Sequence, residues 1–223
     1  MEVPISGYDD FVQEVQTLIS TYPPPFVYIY DPISLRTTST VLKKTIFDVS
    51  CNTSDDLPKI FHVHLDAVTC FSQRLLFDNI LNSLPCLDPG TNILERWNDS
   101  WDSFLHGIRY HNVNKRLLVQ KDVRFVISIE QVHRLKEKLP DSIIPLSRLN
   151  ELVLSCFLLP KPDLIVSQSQ VDITVVFISQ TQWQDIKPAL GASPEPYYID
   201  VKPLTKSGVF SFLLVLFHRS CRS

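Results

Sequence analysis

Glycine is scarce: the 223-residue chain has five, at 7, 90, 107, 191 and 208. None falls within residues 8–89, so a glycine-rich phosphate loop is excluded there. The five cysteines, at 51, 70, 86, 156 and 221, form no C-x-x-C pair and are odd in number. With no secretory signal at the start, they are expected to be reduced thiols of a cytosolic or nuclear protein. The net charge is −3, which excludes a wholly basic, nucleic-acid-coating protein. No uninterrupted apolar run approaches the ~20 residues of a membrane span. The nearest is residues 209–217, of which eight of nine are apolar. Gly-x-Ser-x-Gly and His-Glu-x-x-His strings are missing, and there is no internal repeat or low-complexity tract.

What is present suits one sizeable domain. Hydrophobic residues make up 44% and charged residues 20%, enough for a full core. Phe11, Val15, Leu18 and Ile19 recur at helical spacing, predicting a helix over 8–21. A buried strand is expected at 26–30 and a helix at 39–49. A second strand is expected at 60–65, then a helix at 71–84 with Leu75, Leu76, Ile80 and Leu81 inward. Residues 85–96 read as a loop, 97–110 as a helix, and 125–129 as a strand apolar apart from Ser128. A helix at 143–154, a loop at 158–169, a strand at 173–178, a short helix at 181–186 and a strand at 197–201 complete the order. Alternating helices and apolar strands predict an α/β fold with a mainly parallel five-stranded sheet covered on both faces.

The segment Phe26-Val-Tyr-Ile-Tyr30 followed by Asp31, Pro32, Ile33, Ser34, Leu35, Arg36, Thr37 and Thr38 has the layout of a phosphate loop without its chemistry. The pattern G-x-x-x-x-G-K-[ST] would place glycines at Asp31 and Arg36 and lysine at Thr37; only Thr38 keeps its type. Asp31 would repel a triphosphate. Arg36 is the one group able to replace the missing lysine in part.

Several strings, in this order, carry a resemblance. They are Phe26–Tyr30 and its loop; His62-Val-His-Leu-Asp-Ala-Val-Thr-Cys-Phe-Ser-Gln-Arg-Leu-Leu76; residues 98–105; Arg124-Phe-Val-Ile-Ser-Ile-Glu-Gln-Val-His-Arg-Leu135; residues 144–152; and Ile173-Thr-Val-Val-Phe-Ile-Ser-Gln-Thr-Gln-Trp183. Over about residues 7–205 the chain resembles the subunit 5 family of the origin recognition complex, AAA+-type replication initiators. The resemblance implies a P-loop NTPase-like (AAA+) three-layer sandwich over 1–205. The apolar tail 206–223 stands where the family continues into lid and winged-helix domains, implying a C-terminally shortened member.

The resemblance also implies roles. Residues 31–38, Glu130 and Ser179 would surround ATP, with Thr38 and Glu130 on Mg²⁺. Gln131 stands where a hydrolase keeps its water-activating carboxylate, and Ser179 and Gln180 stand at the sensor-1 position. Arg148 is the candidate arginine reaching a neighbour's nucleotide. ATP/Mg binding is expected to be weak and hydrolysis absent. The expected role is structural: a subunit of the nuclear origin recognition complex, partnered by the other subunits and, within the complex, by origin DNA, with no membrane contact. A standalone switch of the STAND type, or a non-functional truncated product, is the alternative. His62 and His64 share a strand face but have no third ligand at metal spacing. The basic run 134–138, with Arg134 and Lys136, reads as a solvated face. Trp97 and Trp101 read as i, i+4 aromatic anchors of one helix.

Overall fold

The computed structural model describes residues 7–21, 23–51, 58–84, 97–119, 122–155, 172–188 and 193–202, with the side chains of 112–119 excepted. Helix α1 (Asp9–Ser20) buries Phe11, Val15 and Ile19, and Asp9 and Asp10 in its first turn complement the helix dipole. Strand β1 (Phe26–Tyr30) leads into α2 (Leu35–Cys51), then β2 (Lys59–Asp66) and α3 (Gln73–Ser83). Ser72 caps α3, its hydroxyl accepting from the Leu75 amide at 3.3 Å. Next come α4 (Trp101–Val119), β3 (Val123–Glu130), α5 (Val132–Lys138), α6 (Ile143–Ser147) and α7 (Leu149–Ser155). Strand β4 (Asp172–Ser179), α8 (Trp183–Ile186) and β5 (Tyr197–Asp200) close the described chain.

The five strands form one sheet in the order β2-β3-β4-β1-β5, and every pairing is parallel. A parallel sheet must be covered on both faces, and this one is. Phe26, Tyr28, Val63, Phe125, Ile127, Val175 and Phe177 pack beneath α3–α8. Val27, Ile29, Ile60, Val126, Val176 and Ile178 pack beneath α1 and α2. The result is the expected three-layer α/β sandwich.

Beyond shifts of one or two residues at element ends, the helices differ from the sequence expectations in four ways. Helix α2 begins at Leu35, not 39, because Ser34 O already accepts from the Thr37 and Thr38 amides at 2.9 and 3.1 Å. Helix α4 begins at Trp101. Trp97 precedes it and folds back on Tyr110, with ring centroids 4.7 Å apart, so the two tryptophans do not share a helix. The helix expected at 143–154 is two helices separated by Arg148, whose carbonyl accepts from the Leu152 amide. Helix α5 was not expected; Val132 and Leu135 anchor it in the core, although its 134–138 stretch is strongly charged. On α3, Phe77 is buried with Leu76, Ile80 and Leu81, while Leu75 is half-buried. The expected loops at 85–96 and 158–169 and the tail 206–223 lie outside the described residues.

Candidate functional site

In open α/β folds, ligands bind beyond the carboxyl ends of the strands. Here that edge is dominated by Asp31, next to β1, whose side chain is folded inward and only 2% exposed. Its Oδ1 accepts from the Ile33 and Ser34 amides at 2.8 and 2.9 Å. Its Oδ2 accepts from the Thr38 hydroxyl at 2.6 Å. The Asp31 amide donates to Ser179 O at 2.9 Å and ties the end of β1 to that of β4. A turn whose amides point into a concavity is an anion nest. In this protein the nest holds the chain's own carboxylate.

The rest of the 31–38 segment follows from that arrangement. Only residues 31–34 form loop; Leu35 to Thr38 is the first turn of α2. Leu35 is a core residue, whereas Pro32, Ile33 and Arg36 are exposed. The Thr37 hydroxyl lies 2.6 Å from that of Ser34. Tyr8, buried before α1, faces the same corner: burial raises its phenol pKa, hydrogen bonding with Thr38 opposes the shift, and the Asp31 charge adds to it.

A second polar unit lies beneath α2. On the α2 side of the sheet, β3 carries Arg124, Val126, Ser128 and Glu130, all buried. Glu130 Oε2 accepts from the Ser39 hydroxyl at 2.7 Å and lies 3.3 Å from His64 Nε2. His64 Nδ1 and His62 Nε2 both lie 2.8 Å from Ser128 Oγ. With the His64 hydrogen on Nε2, facing the carboxylate, Nδ1 accepts from Ser128 and His62 donates to it; one hydroxyl hydrogen then satisfies the unit. Burial, then the Lys43 charge, lowers the His62 pKa to about 4. His64 is lowered likewise, by burial first and then by Lys43 and His62. Both rings are neutral at pH 7.

Gln131 follows Glu130 in the left-handed backbone region, φ 60° and ψ 43°, unusual for a residue with a side chain. Its side-chain Nε2 donates to Asp66 Oδ1 at 3.3 Å, at the end of β2. Ser179 is fully buried; its hydroxyl accepts from the Thr181 amide at 3.1 Å and lies 3.4 Å from His133 Nδ1. Gln180, next to it, is exposed. The structure therefore brings together Asp31, Thr38 and Ser179 at the β1–β4 end, with Glu130 one strand away. It does not bring Arg148 there: that side chain sits on the helical layer, paired to Glu151 at 2.8 Å. Arg134 pairs with Glu137 at 3.1 Å, and Lys136 donates to Asp185 O. Ser39, Asp66, His133 and Tyr8 belong to these networks and were not singled out in the sequence, because each is a partner only across the fold. Among the described residues, no group of His, Cys, Asp and Glu is arranged to hold a metal ion, and no helix is long and apolar enough to cross a membrane.

No protein-family profile and no curated protein matches the chain. Solved structures do. The chain is similar to a chain of the Drosophila ORC structure bound to DNA, at 17% identity and TM-score 0.70, over 95% of this chain and 47% of that one. It is similar to Cdc6p from Pyrobaculum aerophilum at 15% identity and TM-score 0.63, over 96% and 50%. The Aeropyrum pernix ORC1 protein in complex with DNA matches at 10% identity and TM-score 0.57, over 96% and 50%. The chain spans about half the length of these proteins, and at such identities the likeness is one of fold. That fold, an α/β sandwich on a five-stranded parallel sheet, is the AAA+ fold of the ORC and Cdc6 structures.

Proposed function

We propose that the chain is the AAA+-like part of an origin recognition complex subunit, similar to subunit 5, that serves initiation of DNA replication as a structural member and not as a working ATPase. The fold likeness to the Drosophila ORC chain, over 95% of this chain, supports the initiator reading. The ordered strings between 26 and 183 support the particular subunit. Its partners are the other subunits of the complex and, within that complex, origin DNA in the nucleus.

The observation that carries the non-catalytic reading is the Asp31 carboxylate in the nest where phosphate would sit. A triphosphate brought there meets a negative charge in a poorly hydrated corner, where repulsion is weakly screened. The groups left for a nucleotide are Thr38 and Glu130 on the metal side and Ser179 at the sensor position. Thr38 and Glu130 are engaged with Asp31 and Ser39. Mg·ATP binding is therefore weak at best, and Gln131 supplies no carboxylate for hydrolysis. In a complex, Arg148 would have to leave Glu151 to reach a neighbour's nucleotide.

The test is co-expression with the other origin recognition subunits, together with titration of a fluorescent ATP analogue. A stoichiometric complex and poor analogue binding, improved by Asp31→Gly with Thr37→Lys, are expected. A monodisperse monomer that ignores those subunits, or steady ATP turnover abolished by Glu130→Gln, overturns the reading.

A further inference from the structure

Two neighbouring hydroxyls near the start of α2 are each bonded to a carboxylate. Thr38 Oγ1 donates to Asp31 Oδ2 at 2.6 Å, and Ser39 Oγ donates to Glu130 Oε2 at 2.7 Å. All four residues are buried. The carboxylates come from different strands: Asp31 follows β1, and Glu130 ends β3. The two pairs share no atom.

Glu130 is held from a second side, by His64 Nε2 at 3.3 Å from the same Oε2. His64 stands opposite Ser128 in the β2–β3 ladder, and Ser128 Oγ lies 2.8 Å from His64 Nδ1 and 2.8 Å from His62 Nε2. The Val63 carbonyl, at 3.4 Å, is the poorer acceptor for the Ser128 hydrogen. With Ser128 donating to Nδ1, the one hydrogen of the neutral His64 ring sits on Nε2 and points at the carboxylate. Glu130 thus accepts from a helix and from the neighbouring strand. Bonds to an ionised carboxylate are the stronger kind. Swinging it away would leave a buried hydroxyl and a mostly buried imidazole N–H unpaired.

We propose that Ser39 and His64 are positioning residues that hold Glu130 back from a nucleotide's metal ion, a second lock on the site that works independently of Asp31. The proposal rests on the reading of the chain as a non-catalytic subunit and deepens it. Asp31 fills the phosphate nest and takes the Thr38 hydroxyl; Ser39 and His64 take the other carboxylate. Ser128 and His62 act one step further out, by fixing which His64 nitrogen carries the hydrogen. Replacing Asp31 empties the nest and frees Thr38 but leaves Glu130 where it is. A chain repaired at the loop alone therefore gains nucleotide binding without gaining a dependence on magnesium.

The test titrates a fluorescent ATP analogue into the full chain, with Mg²⁺ and with EDTA. Asp31→Gly with Thr37→Lys should bind equally in both. Adding Ser39→Ala, or His64→Phe, should make binding about tenfold tighter with Mg²⁺ than with EDTA, a ratio on the scale of one charge-assisted hydrogen bond. Adding Thr40→Ala, which removes an exposed hydroxyl of the same helix, should not. A purely structural effect would change both affinities alike and leave their ratio unchanged. Histidine-ring NMR of the unmodified chain needs no nucleotide: His64 should be the Nε2–H tautomer, and its signals should move in Glu130→Gln and Ser128→Ala. Magnesium-dependent binding by the loop-repaired chain, no magnesium dependence after either added substitution, or a His64 ring carrying its hydrogen on Nδ1 overturns the lock. If the repaired chain binds no analogue, the Asp31 reading fails instead, and the His64 tautomer alone decides the lock.

Discussion

Thr38 Oγ1 donates to Asp31 Oδ2 across 2.6 Å, between two side chains that are both almost completely buried. One carboxylate thereby satisfies two loop amides and a helix hydroxyl, the work that a bound phosphate does in a nucleotide-binding relative of this fold. The nest is not a defective remnant with unpaired donors; it is complete without a ligand. Removing the carboxylate therefore has consequences of two kinds.

Asp31→Ala leaves the Ile33 and Ser34 amides and the Thr38 hydroxyl without their acceptor. A loss of about 2 kcal/mol of stability is expected, the scale for buried donors losing a charged partner. Millimolar inorganic phosphate or sulfate should then raise the melting temperature of the variant and not that of the wild type, since a ligand of the folded state alone stabilises it. Thermal unfolding with and without the anion checks both. An unshifted variant, or equal anion effects on the two proteins, would contradict the nest.

His62 and His64 make stability depend on pH in a defined direction. In the unfolded chain an imidazole titrates near 6.5, whereas His62 in the fold is lowered to about 4. Between those values the unfolded state binds the extra proton. Stability is thus full above about 6.5 and declines as pH falls toward 4, by up to roughly 1.4 kcal/mol per pH unit for one histidine. Urea unfolding from pH 7.5 to 4.5 should show this slope, reduced in His62→Gln. A slope unaffected by that substitution would show that the protons bind elsewhere.

Arg124 reaches two elements from the start of β3. Its Nε donates to Asp172 Oδ2 at 2.6 Å, at the start of β4, and a terminal nitrogen donates to Ile19 O. Helix α1 has no basic residue in its own last turn, so Arg124 supplies the cation its C-terminus favours. Arg124→Met should cost about 2 kcal/mol, kept moderate because Asp172 retains contact with water. Arg124→Lys should recover part of this. In hydrogen exchange, the last turn of α1 should lose protection more than β5 does; uniform loss would argue against the clamp.

Gly107 lies within α4, where alanine would ordinarily gain about 1 kcal/mol. A Cβ there would approach the Trp97 Cβ and Cε3 at 3.0 Å and Leu81 Cδ2 at 3.1 Å. Trp97 cannot simply swing away, because its Cβ is one of the atoms met. Gly107→Ala should therefore destabilise by about 1–3 kcal/mol, the cost of overpacking. Denaturant titration with tryptophan fluorescence reads both the midpoint and the Trp97 environment. A stabilised variant would refute the close approach.

The order of strands and helices, and most of the core, could be read from the residues alone. Phe26–Tyr30, Val123–Glu130 and Asp172–Ser179 are runs rich in β-branched and aromatic side chains, and Phe11, Val15 and Ile19 mark one helix face. Such periodicities are local consequences of backbone geometry. The missing glycines and lysine were equally legible. What replaced them was not, since Asp31 is an N-terminal hydrogen-bond acceptor only once a short turn aims two amides and Thr38 at it. The same holds for the histidines. Their shared face followed from alternation along β2, but Ser128, Glu130 and Ser39 became their network only when β2, β3 and α2 packed together. Helix α5 is the converse case: its charged surface masked two buried residues, and only the neighbouring layer shows why Val132 and Leu135 point inward. Local spacing determines which elements form. Buried polar groups must find partners wherever the fold places them, and that pairing is decided by tertiary structure.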